Sequence, residues 1–443
     1  MSGIDEPELN RSARQAPLPG ESAARWWLMA LLVAGMIFCY AQRSALSVAA
    51  PFMIEEGVFS TAAMGVLLSA FFWFYAFMQV PAGWVVDRFG VKRTYALGFL
   101  FWSIASALTG LATSLGALIG LRVLLGAGQA VAFPASARAV ADWYRDSERG
   151  AVTASYLTGV RLGTALVNGV GGLFLAVYSW KLFFLVIGLV PLVWLLPWLK
   201  FLNRQKSLPA RAAARGPAKG PTQPPGFRAS LKLLRHRTVL GIFLGFFAYD
   251  YAWFVYVNWL PGYLKIERKF TAAEMGFYSS IPYLLMSIII LLSGLAGDWL
   301  VRRGYPEARV RKSLNAAGLA LACLIVPAGL VEDKMASVWL LTLSLCGMGI
   351  ASPNTWTLTQ AMCPKSIVGT VSGVQNFGGN LGGIIAPALT GYIAYATESF
   401  ALALGVTGAV LVGGILAYTL LIDRRVEIAD DPGAGPKHER SFT

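Results

Sequence analysis

Long apolar runs recur along the whole chain, each nearly free of Asp, Glu, Lys and Arg and each bounded by charged or Gly/Pro-rich residues. About 20 such residues in a helix cross the hydrocarbon core of a bilayer, where only structures that satisfy their own backbone hydrogen bonds are stable. Twelve spans are read near 26–51, 62–86, 94–114, 117–139, 151–177, 181–201, 238–264, 274–300, 312–331, 335–362, 366–394 and 399–422. Charged residues make up 14% of the chain and hydrophobic ones 56%, whereas soluble domains carry about 25% charged residues. That excludes a water-facing globule and predicts an all-α integral membrane protein. The 47 glycines suit helices that approach closely through small residues.

Lys and Arg total 37 against 23 Asp and Glu, a net charge of +14. In a membrane chain this excess reads as cytoplasmic loops rather than a nucleic-acid surface. The tail 1–25, the loop with Arg88, Lys92 and Arg93, the loop with Arg145 and Arg149, residues 203–237, the loop Arg302 to Lys312, and the tail 423–443 all fall on one side of a twelve-span count. That side is expected to be cytoplasmic, with both termini inside. Lys265, Arg268 and Lys269 run against the trend. The polar N-terminal stretch does not resemble a cleavable signal, so the first span is expected to direct insertion.

Residues 203–237 hold nine Lys/Arg, no acid and five prolines, which predicts a solvated linker between a bundle at 26–202 and another at 238–422. The halves repeat weakly. Gly83-Trp-Val-Val-Asp87 after span 2 recurs as Gly294-Leu-Ala-Gly-Asp298 after span 8, each followed by arginines. Two six-helix halves related as parallel repeats are the signature of one large class of secondary transporter. Cys39, Cys323, Cys346 and Cys363 have no metal or redox spacing, and His236 and His438 lie in polar segments. No nucleophile, metal cluster or phosphate-cradling loop points to an enzyme, and no metal or cofactor is expected.

The run Gly83-Trp-Val-Val-Asp87-Arg88-Phe-Gly-Val-Lys92-Arg93 resembles the signature loop of the major facilitator superfamily. Physically, Gly83 permits close helix approach. Asp87 can cap a helix or pair with a loop arginine, a contact able to latch one conformation; Asp87, Arg88, Arg93 and Asp298 are therefore candidate gating residues, against the alternative of a solvated loop charge. Four further motifs are similar to the anion:cation symporter family: Tyr40-Ala-Gln-Arg43 through Pro51, Arg122-x-x-Leu-Gly-x-Gly, Trp259-Leu-Pro261-Gly-Tyr263-Leu, and Gly369 through Asn376, Asn380 and Pro387. The resemblance covers about residues 26 to 422. It implies a twelve-helix, two-bundle carrier in a bacterial inner membrane, a small organic anion such as a sugar acid as substrate, protons or sodium as coupling ion, and a monomer in the lipid bilayer.

Arg43, Arg122 and Arg161 lie inside spans, where each charge costs on the order of 2.5 to 3.5 kcal/mol. A guanidinium is a permanently charged planar fork suited to a carboxylate. The resemblance implies that Arg43 and Arg122 bind or orient the anion; Arg161 reads equally as site or as structure. Tyr40, Tyr75, Trp356 and Asn376 match substrate-facing positions, and helical spacing puts Asn376, Gly379, Asn380 and Gly383 on one face expected to line a cavity. Relatives often carry coupling carboxylates where this chain has Gln42 and Gln129. Neither glutamine takes up a proton. Asp250 in span 7 is the remaining acid inside a span, readable as proton carrier or as fixed counter-ion of a buried arginine. Three arginines against one aspartate favour an anionic ligand. A drug-type exporter and a transporter-fold sensor are the alternatives; the first usually has a Gly-Pro pair where Gly163 is followed by Thr164, and the second needs a signalling partner.

Overall fold

The computed structural model describes residues 21–144, 146–204, 235–364 and 367–426. Most of the 203–237 segment, Arg145 and the outer parts of both tails lie outside the described residues. Span 1 is Glu21–Glu55, span 2 Thr61–Phe89, span 3 Val91–Thr109 and span 5 Asp146–Leu175. Span 4 joins Leu115–Gln129 to Ala132–Trp143, and span 6 joins Trp180–Leu189 to Leu195–Arg204 through a tight turn. Span 7 is Arg237–Gly262 with a widened last turn, span 8 Ala272–Arg302, span 9 Glu307–Ala322 with Ile325–Leu330, span 10 Lys334–Met362, span 11 Val368–Thr397 and span 12 Ala401–Leu416 with its own widened turn. Among the described residues, nine helical stretches are long and apolar enough to cross a membrane.

Local chemistry sets many of the starts. Ser60, Ser114, Ser179, Thr271 and Asp333 each accept a hydrogen bond from a backbone N–H three residues on, so spans 2, 4, 6, 8 and 10 all begin with a capped turn at the same end of the molecule. Thr271 and Glu274 complete a reciprocal capping box. Backbone donors that would otherwise be orphaned at the bilayer boundary are thereby satisfied.

Packing repeats between halves. Span 1 packs on 5 as 7 packs on 11, 2 on 4 as 8 on 10, 3 on 4 as 9 on 10, and 3 on 6 as 9 on 12. The halves meet through 5 on 8, 2 on 11 and 1 on 7, a set that maps onto itself when the halves are exchanged. This is the parallel-repeat architecture that the sequence motifs indicate.

The halves are pressed together at the end away from Asp87. There Ser47 Oγ donates to Asn258 O at 2.8 Å, Ser280 Oγ to Ala165 O at 3.0 Å, and Asn168 Nδ2 to Ser279 O at 3.3 Å. Lys265 Nζ reaches Glu55 at 2.7 Å. A Cβ on Gly172 would stand 2.5 Å from Gly276 Cα, and one on Gly65 3.0 Å from Gly391 Cα, so only glycine permits these crossings. Toward the Asp87 end, added Cβ atoms on Gly83, Gly369 and Gly373 would meet nothing within 4 Å, and Asn376 is exposed. The central space is closed at one end and open toward the other.

Candidate functional site: a caged arginine between the halves

Span 1 brings Tyr40 and Arg43 to one face, one turn apart, and span 2 brings Phe71 and Tyr75 against them. The Arg43 guanidinium carbon lies 4.3 Å from the Tyr40 ring centre, 4.4 Å from Phe71 and 4.7 Å from Tyr75. These rings cover its faces and offset part of the cost of a buried charge. In its plane, Nε donates to Gln129 Oε1 and Nη1 to the Tyr40 hydroxyl, both at 3.1 Å. Gln129 is fixed in turn by donating Nε2 to Cys39 O at 2.9 Å. Buried Nη2 has no hydrogen-bond partner among the described residues. The cage holds the fork still and leaves one nitrogen, Nη2, unused.

Arg122 has a different geometry from the one its motif suggests. Both its terminal nitrogens donate to the backbone carbonyl of Arg43 at 3.3 Å, which braces span 4 against span 1. The neighbouring motif glycines do related work. A Cβ on Gly126 would collide with the Phe71 carbonyl, and one on Gly128 would stand 2.9 Å from Trp102 Cβ. Gln42 turns away from the centre, donating to Ser103 Oγ and Ile187 O at 3.1 and 2.9 Å.

Arg161 is set by its flanking glycines. Gly159 and Gly163 seat span 5 on span 1, where a Cβ on either would press on the Val33 or Ile37 carbonyl. Two residues from each, Arg161 projects from the other side of the helix, toward the second half. Its guanidinium carbon lies 4.1 Å from the Trp253 ring centre, within electrostatic reach of Tyr40, Tyr249, Asp250 and Tyr283. The half-buried Asp250 carboxylate faces span 11, where any Cβ on Gly379 would collide with it. Phe72 closes the centre from the tighter end, 4.3 Å from Phe254 and 2.7 Å from where a Cβ on Gly383 would stand.

The predicted span-11 face is therefore partly a seat for spans 2 and 7. Asn380 is occupied locally, donating Nδ2 to Asn376 O at 3.0 Å, while Asn376 is open. Trp356 is 38% exposed and stands edge-on to Phe246 at 5.1 Å. The Trp259 motif is a brace: its Nε1 donates to Pro387 O at 2.9 Å, tying span 7 to span 11.

At the open end Asp87 pairs with Arg138 of span 4 at 3.0 Å, not with a loop arginine, and Arg138 also holds Asp142 at 2.9 Å. Arg88 lies 5.8 Å from the Trp84 ring and Arg93 is exposed. Asp298 pairs with Arg311, which is buried and also donates to Asn354 Oδ1 at 3.2 Å. Arg311 is buried like Arg43 and Arg122, whereas Arg161 is half-buried; span 9 begins five residues before its expected start and so carries Arg311 within the helix. The recurrence of the Asp87 motif at Asp298 was the available signal to search span 9 for its cation. Asn354 is held by Arg311, Ser293 and Ile350 O, which occupy it away from any ligand.

Two six-helix halves whose packing pairs repeat, with a caged cation in the first half near their junction, frame the site. The sequence model of the Major Facilitator Superfamily matches residues 32–387, and the chain belongs to that superfamily. It is 33% identical over 412 residues to a D-galactonate transporter of Escherichia coli O6:H1, covering 90% of this chain and 95% of the relative. It is 32% identical over 395 residues to a hexuronate transporter of Bacillus subtilis, covering 88% and 91%. Among solved structures, a bacterial homologue of the human lysosomal transporter Spinster, in an inward-facing and occupied conformation, superposes with TM-score 0.76 at 16% identity, covering 92% of this chain and 97% of that one. The D-xylose–proton symporter superposes with TM-score 0.69 at 14% identity, covering 90% and 98%.

Proposed function

We propose that the protein is a secondary transporter that moves sugar-acid anions across a bacterial inner membrane by alternating access, coupled to protons. The observation that carries the reading is the caged Arg43, whose faces are sealed by three rings and whose buried Nη2 is left without a partner. A carboxylate is the complement of that unused donor. The relatives named as galactonate and hexuronate transporters support the substrate class. Arg122 acts by holding the Arg43 backbone; Tyr40, Tyr75, Trp356, Asn376 and Asn380 shape the space around the anion. The basic loops orient the open Asp87 end to the cytoplasm, with both termini inside and the 203–237 segment linking the two bundles of a monomer. The Asp87–Arg138 and Asp298–Arg311 pairs gate that end. Because Gln42 and Gln129 cannot be protonated, Asp250 carries the coupling proton.

The test is uptake of labelled D-galactonate, galactarate and a hexuronate into proteoliposomes of the purified protein, with and without an inward proton gradient. Accumulation that requires the gradient and collapses with a protonophore is expected. Failure to move any of the three overturns the substrate class, and accumulation indifferent to the gradient overturns the coupling.

A further inference from the structure

We propose that Arg161 is a second anion-binding pole, so that the site selects sugar acids carrying a carboxylate at each end over those carrying one. The inference rests on the sugar-acid reading above and narrows it. Arg161 is built like Arg43. An aromatic face, Trp253 at 4.1 Å, covers the flat side of the guanidinium, and the Tyr249 hydroxyl stands within hydrogen-bonding reach of it. Its buried Nε has no hydrogen-bond partner among the described residues. Asp250 is near but makes no close ion pair with it, and the Asp250 carboxylate is turned toward Gly379 on span 11.

One tyrosine borders both poles. Tyr40 hydrogen-bonds Arg43 at 3.1 Å and also lies within reach of the Arg161 charge. Arg43 and Arg161 come from different elements of the first half, and Arg161 faces Trp253, Tyr249 and Tyr283 of the second. A ligand touching both poles lies on the first half, with Trp253, Tyr249 and Tyr283 of the second beside it.

Charge counting gives the valence. Arg43 and Arg122 are buried and Arg161 is half-buried, and among the described residues the one carboxylate near these three is Asp250, beside Arg161, while Arg311 is matched by Asp298 and by Glu307 at 3.9 Å. The centre therefore carries two uncompensated positive charges. A monoanion leaves one of them unmatched, whereas a dianion neutralises both.

Galactarate and D-galactonate share a six-carbon polyol chain and differ in the second terminal carboxylate, which makes them the probe pair. Affinity of each for the purified full-length protein is measured by calorimetry. The wild type is expected to favour galactarate at least about tenfold, the factor equivalent to 1.4 kcal/mol. Arg161→Gln collapses the ratio toward one, and Arg161→Lys retains part of it because it keeps the charge without the fork. The double variant Arg161→Gln/Asp250→Asn returns the centre to the wild-type net charge and serves if Arg161→Gln alone does not fold; with the charge restored but the second fork gone, its ratio must also stay collapsed. Equal affinities in the wild type, an unchanged ratio in Arg161→Gln, or a ratio restored in the double variant overturns the proposal; the last would make Arg161 only the counter-ion of Asp250. Binding of D-galactonate without preference for galactarate sinks this inference alone, whereas binding of neither ligand sinks it together with the substrate class.

Discussion

Replacing Arg43 by lysine tests whether the fork itself, and not merely its charge, is what the cage preserves. An ammonium placed among Tyr40, Phe71 and Tyr75 keeps its attraction to the rings, which lie within 4.7 Å of the guanidinium carbon. Its three N–H groups diverge from a single nitrogen, so it cannot reach Gln129 and Tyr40 from the separate positions of Nε and Nη1 and also place a donor where Nη2 stands. One hydrogen bond from a charged donor to the anion is lost, worth about 1.5 to 3 kcal/mol. That corresponds to a Kd weakened roughly 10- to 150-fold. Gln129 Oε1, fully buried, loses its donor, so the unliganded protein is destabilised by about 1 to 3 kcal/mol and still unfolds cooperatively. Calorimetric titration with D-galactonate reads the first quantity, and the melting temperature without ligand reads the second. A variant with Kd within threefold of wild type and intact folding would refute the reasoning, since the geometry would then be irrelevant to the anion.

Asp87→Asn removes the charge from the 3.0 Å pair with Arg138; the expected result is a slower transport rate with ligand affinity nearly unchanged, and the reverse pattern rejects a gating role. Gly172→Val places a branched side chain where a Cβ already stands 2.5 Å from Gly276 Cα, an overpacking cost of about 1 to 3 kcal/mol concentrated in the closed state. With the four native cysteines replaced, a Ser47→Cys probe should then be labelled faster by a membrane-impermeant thiol reagent applied from the end away from Asp87, and unchanged labelling contradicts the closed-end reading. Glu55→Gln breaks the half-exposed pair with Lys265, where exposed pairs are worth under about 1 kcal/mol, so melting should move by only a few degrees. Asp250→Asn should abolish accumulation driven by a proton gradient while counterflow exchange persists; loss of both in folded protein assigns Asp250 a structural role instead.

The spans were legible because the bilayer imposes one length on every crossing. Their ends were less so, displaced by up to five residues, because charged residues such as Glu307, Arg309 and Arg311 continue a helix beyond its apolar run. The repeat was legible from Asp87 and Asp298, and the packing pairs repeat with it. Partner identity was not. Asp87 could have met any nearby arginine, and Arg138 is the one that shares its depth and side of the bundle, a fact about helix rotation that neither motif encodes. The glycines of the span-4 motif likewise read as close approach, while the surfaces they approach, Phe71 and Trp102, come from sequence positions far away.

The buried arginines show where reading by residue type ends. Each carries the same cost of burial, so each needs compensation, and the sequence states that need without stating what meets it. Arg311 is met by Asp298 and Asn354, and Arg122 by the Arg43 carbonyl, both fixed groups of the protein. Arg43 is met only partly, by Gln129 and Tyr40, with one nitrogen left over. A glutamine at 129 is decisive there. A carboxylate in its place would neutralise Arg43 whenever ionised, so that an incoming anion would have to await its protonation; a neutral amide orients the fork and leaves the charge available. The price of that arrangement is that the proton coupling proposed above cannot run through position 129, which is the reason the proposal places it across the interface, at Asp250.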